Sequence, residues 1–279
     1  MTSRASVSGM DEVGSAKSLL FVPADRPDRF AKAASSGADA IILDLEDAVG
    51  PRDKSLARRH AGDWLSEHPA HVRINAADTE WFDDDMAMVG EHSCPVVVPK
   101  VATAEQIRLI VDRLPGVPVT VLLETAAGIL NAATICAVAG VARAAFGSVD
   151  LGAELGVEPA DVRALQYARS AIVLASAAAG LPPPLDGVCT DLDDPDSLVA
   201  EARRAVSLGF GGKLCIHPRQ IVPVNRSFSP TPTELDWARR VVASVDARGV
   251  VVLDGKMIDK PVVTRAQRLL HNNGGLDDG

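Results

Sequence analysis

The stretch Val119–Leu151, VTVLLETAAGILNAATICAVAGVARAAFGSVDL, decides the fold. It opens on VTVLL, an apolar run rich in β-branched residues, the pattern of a strand buried on both faces in a parallel sheet. The run ends on Glu124. A helix of small residues follows, with Thr125 placed as its N-cap. A second apolar run, 144–149, ends on Asp150. Two consecutive strands of a βαβ unit therefore each end on a carboxylate. In parallel β/α folds the carboxyl ends of neighbouring strands share one face, so Glu124 and Asp150 are expected side by side. Such a pair suits a hard divalent cation such as Mg²⁺, completed by water and substrate oxygens. The plainer alternative is that each is an acid favoured at a helix N-terminus.

Working outward, eight short apolar runs recur, separated by helical patterns: 18–22, 40–45, 72–75, 95–100, the two runs above, 185–189 and 213–216. Helices are expected near 55–66, 80–90, 104–114, 159–179 and 195–208. Eight strand–helix units predict an α/β fold of the TIM (β/α)₈ barrel type. A doubly wound open sheet is the runner-up, but no GxGxxG follows the first strand. The expected organisation is a disordered tail over 1–17, a barrel over 18–230, an extension over 231–270 and a second disordered tail over 271–279. The extension reads as helix, hairpin turning at Asp254-Gly255, and helix, extra to a closed barrel and suited to a lid or an oligomer contact.

The chain has 279 residues, 47% hydrophobic and only 4% aromatic, so the core must be built from Val, Leu, Ile and Ala. A net charge of −9 argues against nucleic acid or an anionic membrane as the main partner. No uninterrupted apolar stretch reaches transmembrane length, and the first 17 residues lack the apolar core of a secretory signal. The cytoplasm is the expected compartment. Cys94, Cys136, Cys189 and Cys215 form no CxxC and read as reduced, buried small hydrophobes.

A barrel places its chemistry at the carboxyl ends of its strands. Those ends carry Asp25 and Arg26; Asp44, Glu46 and Asp47; Arg73 and Asn75; Lys100; Glu124; Asp150; Asp186; and His217. Nearly all are ionisable, whereas the strand interiors are almost uncharged. Arg73, inside the apolar VRIN, needs an anion: a substrate carboxylate gripped by its fork, or a buried partner in Asp44 or Glu46. His217 reads either as a catalytic imidazole or as a hydrogen-bonding loop residue. Gly209, Gly211 and Gly212 beside Lys213 read either as a ligand approach or as a tight turn.

The segments LFVPADRPDRFAKA, IILDLEDAV, VRIN, VVVPK, LLETAAGI, FGSVDLGAELG, GFGGKLCIHPRQI and GKMID resemble the β subunit of citrate lyase and its stand-alone relatives, within the HpcH/HpaI aldolase superfamily of CoA-ester lyases. The resemblance runs from about Ser18 to Leu270. It implies a TIM barrel, a homotrimer, bound Mg²⁺ and a coenzyme A thioester as substrate. By motif, Glu124 and Asp150 become the metal ligands, with Glu124 also facing substrate. Arg73 becomes the anchor of the 2-oxo acid carboxylate and a catalytic residue, and Arg26 lies near the CoA moiety. In the acid cluster after the second strand, Asp44 is expected to bind substrate and Glu46 to be catalytic, while one of these acids could instead hold a metal-bound water or Arg73 and another cap the following helix. Asp259 of GKMID resembles an acid that reaches the active site of an adjacent subunit and handles protons of the acyl-CoA enolate. The implied reaction splits a carboxylated 3-hydroxyacyl-CoA into acyl-CoA and a 2-oxo acid. Two rivals stand beside it: a CoA-independent 2-oxo-acid aldolase of the same superfamily, and a catalytically silent metal-binding subunit. A place in a citrate lyase complex also stays open.

Overall fold

In the computed structural model, which describes residues 10, 12–244, 251–253 and 255–271, eight parallel strands close on themselves. They are β1 (Ser18–Pro23), β2 (Ala40–Asp44), β3 (His71–Arg73), β4 (Val96–Val98), β5 (Val119–Leu123), β6 (Val141–Phe146), β7 (Leu185–Asp186) and β8 (Gly212–Cys215). Each pairs with the next in sequence. The barrel shuts where β8 meets β1, with Leu19 opposite Leu214. The expected (β/α)₈ barrel is the observed fold.

The inside is filled by one ring of aliphatic side chains: Leu19, Ile42, Val97, Leu122, Ala145, Leu185 and Leu214, drawn from every strand but β3, with Ala16 packed among them. Small and branched side chains suffice because eight converging strands leave a narrow space that alternating residues fill. Helices cover the outside. The helix Ala104–Arg113 starts at a capping box in which Thr103 accepts from the Gln106 amide and Gln106 reaches back to the Thr103 amide. Thr125 caps Ala126–Leu130 by accepting from the Gly128 amide, as its position predicts.

Several boundaries differ from the sequence reading. The strand expected over 185–189 shrinks to Leu185–Asp186, and β6 stops at Phe146, so that Asp150 sits in the first turn of the helix Ser148–Leu155. The long helix expected over 159–179 begins only at Gln166. Gly156, at φ +68°, ends the preceding helix, and Asp161 folds the next residues into a turn by accepting from the Arg163 and Ala164 amides.

The N-terminal segment also departs from a disordered tail over 1–17. Residues 12–15 are helical, and Val13 and Ala16 are buried. Arg143 explains this. It is a fully buried guanidinium in β6 whose Nη1 donates to the carbonyls of Val13 (2.9 Å) and Ala16 (2.6 Å) and whose Nε donates to that of Pro183 (2.8 Å). A lone arginine in an apolar strand takes backbone acceptors wherever it finds them, because leaving its donors unmet inside the fold is costly. Residues 1–9 and 11 lie outside the described residues, as does 272–279, nearly all of the second expected tail.

The barrel unit ends at Asn225, and a second unit begins at Arg226. Within that second unit the helices Pro232–Ser244 and Lys260–His271 and the antiparallel hairpin β9 (Val251–Leu253) and β10 (Lys256–Ile258) enclose a small core of Ala238, Val241, Ile258, Ala266 and Leu270. Helix, hairpin and helix follow the expected order. Gly255 supplies the left-handed turn residue at φ +74°, while Asp254 lies outside the described residues.

Candidate active site

The carboxyl ends of β2 to β6 bring five acids and two bases together. Arg73, at the end of β3, lays its fork on Asp44 at the end of β2: Nε to Oδ1 is 2.7 Å and Nη2 to Oδ2 is 2.6 Å. Its Nη1 lies 3.0 Å from Glu46 Oε2, and its guanidinium stacks 4.7 Å from the centroid of Phe21. Asp44 Oδ1 also accepts from the Glu46 amide at 2.9 Å. The alternative in which Arg73 takes a buried internal partner is therefore present in full. Two of the five donors of the guanidinium are spent on Asp44 in hydrogen bonds, and the contact with Glu46 is an ion pair.

Lys100, two residues past β4, stands in the middle. Its ammonium touches Asp150 and lies 3.3 Å from Asp47, 3.6 Å from Glu46 and 3.9 Å from Glu124. Its backbone is left-handed, at φ +52°, which is uncommon for a residue other than glycine. That conformation aims its own amide at Glu124 Oε1, 2.8 Å away. So one residue holds Glu124 by its main chain and Asp150 by its side chain. Glu124 is 2% exposed, whereas the Asp150 side chain is 36% exposed. The site thus has a buried wall and a wet rim.

Glycine at 147 follows from the same crowding. A Cβ there would sit 2.3 Å from Glu124 Cβ and 2.4 Å from its Oε2. Behind Glu46, the buried Lys54 donates to the carbonyls of Leu45 (2.6 Å) and Glu46 (2.8 Å) and to Asn75 Oδ1 (2.6 Å). Asn75 in turn donates through its amide and side chain to Asp85, which also accepts from Arg58. This inner network fixes the loop that carries Glu46 and Asp47. Asn75 belongs to it and to no substrate-facing position.

Five carboxylates, Asp44, Glu46, Asp47, Glu124 and Asp150, pair directly with only two cations, Arg73 and Lys100. With all of them ionised, three negative charges stay uncompensated. The consequence appears in their acidities. Burial, above all, pushes Glu46 up to about 7 against the pull of Arg73 and Lys100. Burial and then the charge of Glu46 push Glu124 up to about 8. For Lys100, burial works against the charge, but Glu124, Asp150 and Glu46 outweigh it and hold the ammonium above its ordinary value.

An all-oxygen, strongly anionic wall fits a hard divalent cation. Among the described residues no group of three or more His, Cys, Asp or Glu side chains is placed to hold a metal ion. A cation here would rest on one or two carboxylates and water, a coordination open to Mg²⁺.

Other expected residues make local contacts. His217 Nδ1 accepts from the Arg219 amide at 3.1 Å and caps the short turn that follows, with Gln220 reciprocating. Lys213 is buried against Asp186 (3.2 Å) and Glu201 (3.0 Å), and Asp186 also accepts from Arg169. Gly209 ends a helix at φ +102°, and a Cβ on Gly212 would stand 2.6 Å from the Lys17 carbonyl. The turn reading of that glycine loop is the one observed. Arg26 forms an exposed two-point pair with Asp28 on the loop after β1. Asp259, within the second unit, caps the last helix: its Oδ1 accepts from the Val262 amide at 3.3 Å.

Comparison with known proteins gives a consistent picture. A family model described as HpcH/HpaI aldolase/citrate lyase matches residues 17–218. A citrate lyase subunit beta-like protein of Mycobacterium tuberculosis is 40% identical over 91% of this chain and 94% of that protein. A (3S)-malyl-CoA thioesterase of Cereibacter sphaeroides is 36% identical over 91% of this chain and 93% of its own. The crystal structure of CitE from Mycobacterium tuberculosis with magnesium, acetoacetate and coenzyme A superposes with a TM-score of 0.82 at 37% identity, covering 93% of this chain and 98% of that one.

The raised carboxyls fix a pH dependence. In the folded chain Glu46 and Glu124 keep protons that the unfolded chain, near 4.5, has lost. The stability they contribute is complete below that value and is lost as pH rises through about 7 and 8. In chelator the melting temperature should fall between pH 5.5 and 8.5, and Glu124→Gln, which cannot titrate, should flatten the fall. Scanning calorimetry across that window decides it; equal slopes in the two proteins contradict the assignment.

Proposed function

This chain belongs to the HpcH/HpaI aldolase/citrate lyase family, and from that membership we propose that it is a Mg²⁺-dependent carbon–carbon lyase that splits a carboxylated 3-hydroxyacyl-CoA into acyl-CoA and a 2-oxo acid, or joins them. The observation that carries the reading is the anionic wall of Glu124, Asp150 and Glu46, over-supplied with charge at the barrel mouth. Glu124 and Asp150 would hold the Mg²⁺, which when bound supplies Lewis-acid polarisation of the substrate hydroxyl and carbonyl oxygens.

The chain's own residues do the rest. Arg73 spends two N–H donors on Asp44, and its Nη1, 3.0 Å from Glu46, is the end proposed to take a substrate carboxylate. Asp44 is proposed to act on the substrate through Arg73, whose plane it fixes. Glu46, held near neutrality by burial, is suited to exchange a proton at the reacting hydroxyl. Arg26 stands on an exposed loop with a partner, Asp28, that a phosphate of CoA can replace at little cost, since exposed ion pairs contribute little. The chain is proposed to work as a homotrimer in the cytoplasm, with or without the other subunits of a citrate lyase complex. Among the described residues no helix is long and apolar enough to cross a membrane.

Product analysis tests the reaction. Purified chain with Mg²⁺ and malyl-CoA or citramalyl-CoA should release a 2-oxo acid, trapped as its hydrazone, together with an intact acyl-CoA. Arg73→Lys should lower kcat/KM per folded molecule roughly a hundredfold, the scale of a misoriented substrate, and should also lower the melting temperature, because the two-point pair with Asp44 is lost. Free CoA without 2-oxo acid would mark a thioesterase. Cleavage of free hydroxy acids alone would mark a CoA-independent aldolase, and inert protein that binds Mg²⁺ a silent subunit.

Asp259 is proposed to serve a neighbouring subunit's site as the late proton-transfer group, a role that suits extra chain beyond the eighth strand. Asp259→Asn and Glu124→Gln, each inactive alone, should recover activity when refolded together. Mixed oligomers that stay inactive place Asp259 elsewhere.

A further inference from the structure

Lys100 is the residue the sequence reading did not assign, although its ammonium is surrounded by the acids proposed to bind metal. We propose that Lys100 is the resident counter-cation of the carboxylate ring, and that its ammonium and a divalent cation are alternative partners of Glu124 and Asp150. The inference rests on the reading that those two acids hold the cation, and it assigns a positioning residue to that site.

Three features support it. First, the ammonium contacts Asp150 and lies 3.9 Å from Glu124, so a divalent cation on the same two side chains would stand against it and be repelled. Second, the ammonium has other partners within reach: Asp47 lies 3.3 Å and Glu46 3.6 Å away, and a flexible four-carbon stem allows a shift toward them. Third, the Lys100 backbone does not need to follow. Its left-handed amide stays on Glu124 Oε1 at 2.8 Å, the oxygen that also lies 3.9 Å from the ammonium, and so keeps the carboxylate oriented. The side chain exchanges while the main chain keeps the ligand aimed. Lysine suits this post because a compact ammonium on a mobile stem yields to a stronger cation more readily than a fork gripping two oxygens would.

The test is calorimetric titration of Mg²⁺ into chelator-treated full-length protein. The wild type should bind; if it does not, the metal reading of Glu124 and Asp150 fails and takes this inference with it. Lys100→Met removes the competing charge and keeps the stem, so its Mg²⁺ Kd should be tighter by roughly tenfold or more. Wild-type binding with an unchanged or weaker Kd in Lys100→Met overturns the proposal alone. If that variant does not fold, a crystal structure of the wild type grown with Mn²⁺ answers the same question. With Mn²⁺ on Glu124 and Asp150, the Lys100 Nζ should have left hydrogen-bond distance of Asp150. A retained contact beside the bound ion overturns the exchange.

Discussion

Glu124 is the constraint on which the rest depends. It is a carboxylate at the end of a fully buried strand, 2% exposed, and it cannot ionise without help. Every neighbour is arranged around that problem. The Lys100 amide turns left-handed to reach one oxygen, Gly147 gives up its side chain to leave room for the other, and the Lys100 ammonium stands opposite. A single ammonium shared among four acids is too little positive charge, and that shortfall is what the proposed cation would make good.

The barrel makes such a concentration of charge possible. Seven strands give one aliphatic residue each to the interior ring, so the fold is held by burial that owes nothing to the ionic end. The strand ends are then free to carry groups that would destabilise a core. Ionic contacts there are bracketed by inner-layer partners: Asp44 under Arg73, Lys54 under the Glu46 loop, Asp85 under Asn75. Those partners are buried polar groups with their hydrogen bonds met, which keeps the reacting face rigid while its rim stays open to water.

Much of this was legible in the sequence. Unbroken β-branched runs such as VTVLL and PVVVPK announce strands buried on both faces, and eight of them set the barrel. Charged residues confined to their ends announce the site. What stayed hidden has identifiable causes. Lys100 was visible at a strand end, but its central place depends on a left-handed backbone that no residue type except glycine advertises. Asp150 was expected at the tip of a strand because AAFGSV reads as one apolar run; Gly147 breaks it, and the acid rides on the next helix. Arg143 inside β6 was a visible anomaly, yet nothing local says that its acceptors are carbonyls of residues 13, 16 and 183. Such contacts, over a hundred residues apart in two of the three cases, are beyond any windowed pattern.

The central claim is that Glu124 and Asp150 convert this shortfall of positive charge into a divalent cation site. Electron paramagnetic resonance of Mn²⁺ titrated into the protein tests it most directly, because free and bound ions are counted separately. The account predicts one tight Mn²⁺ per chain, lost in both Glu124→Gln and Asp150→Asn while circular dichroism stays that of the wild type. Undiminished Mn²⁺ binding in both folded variants would contradict it.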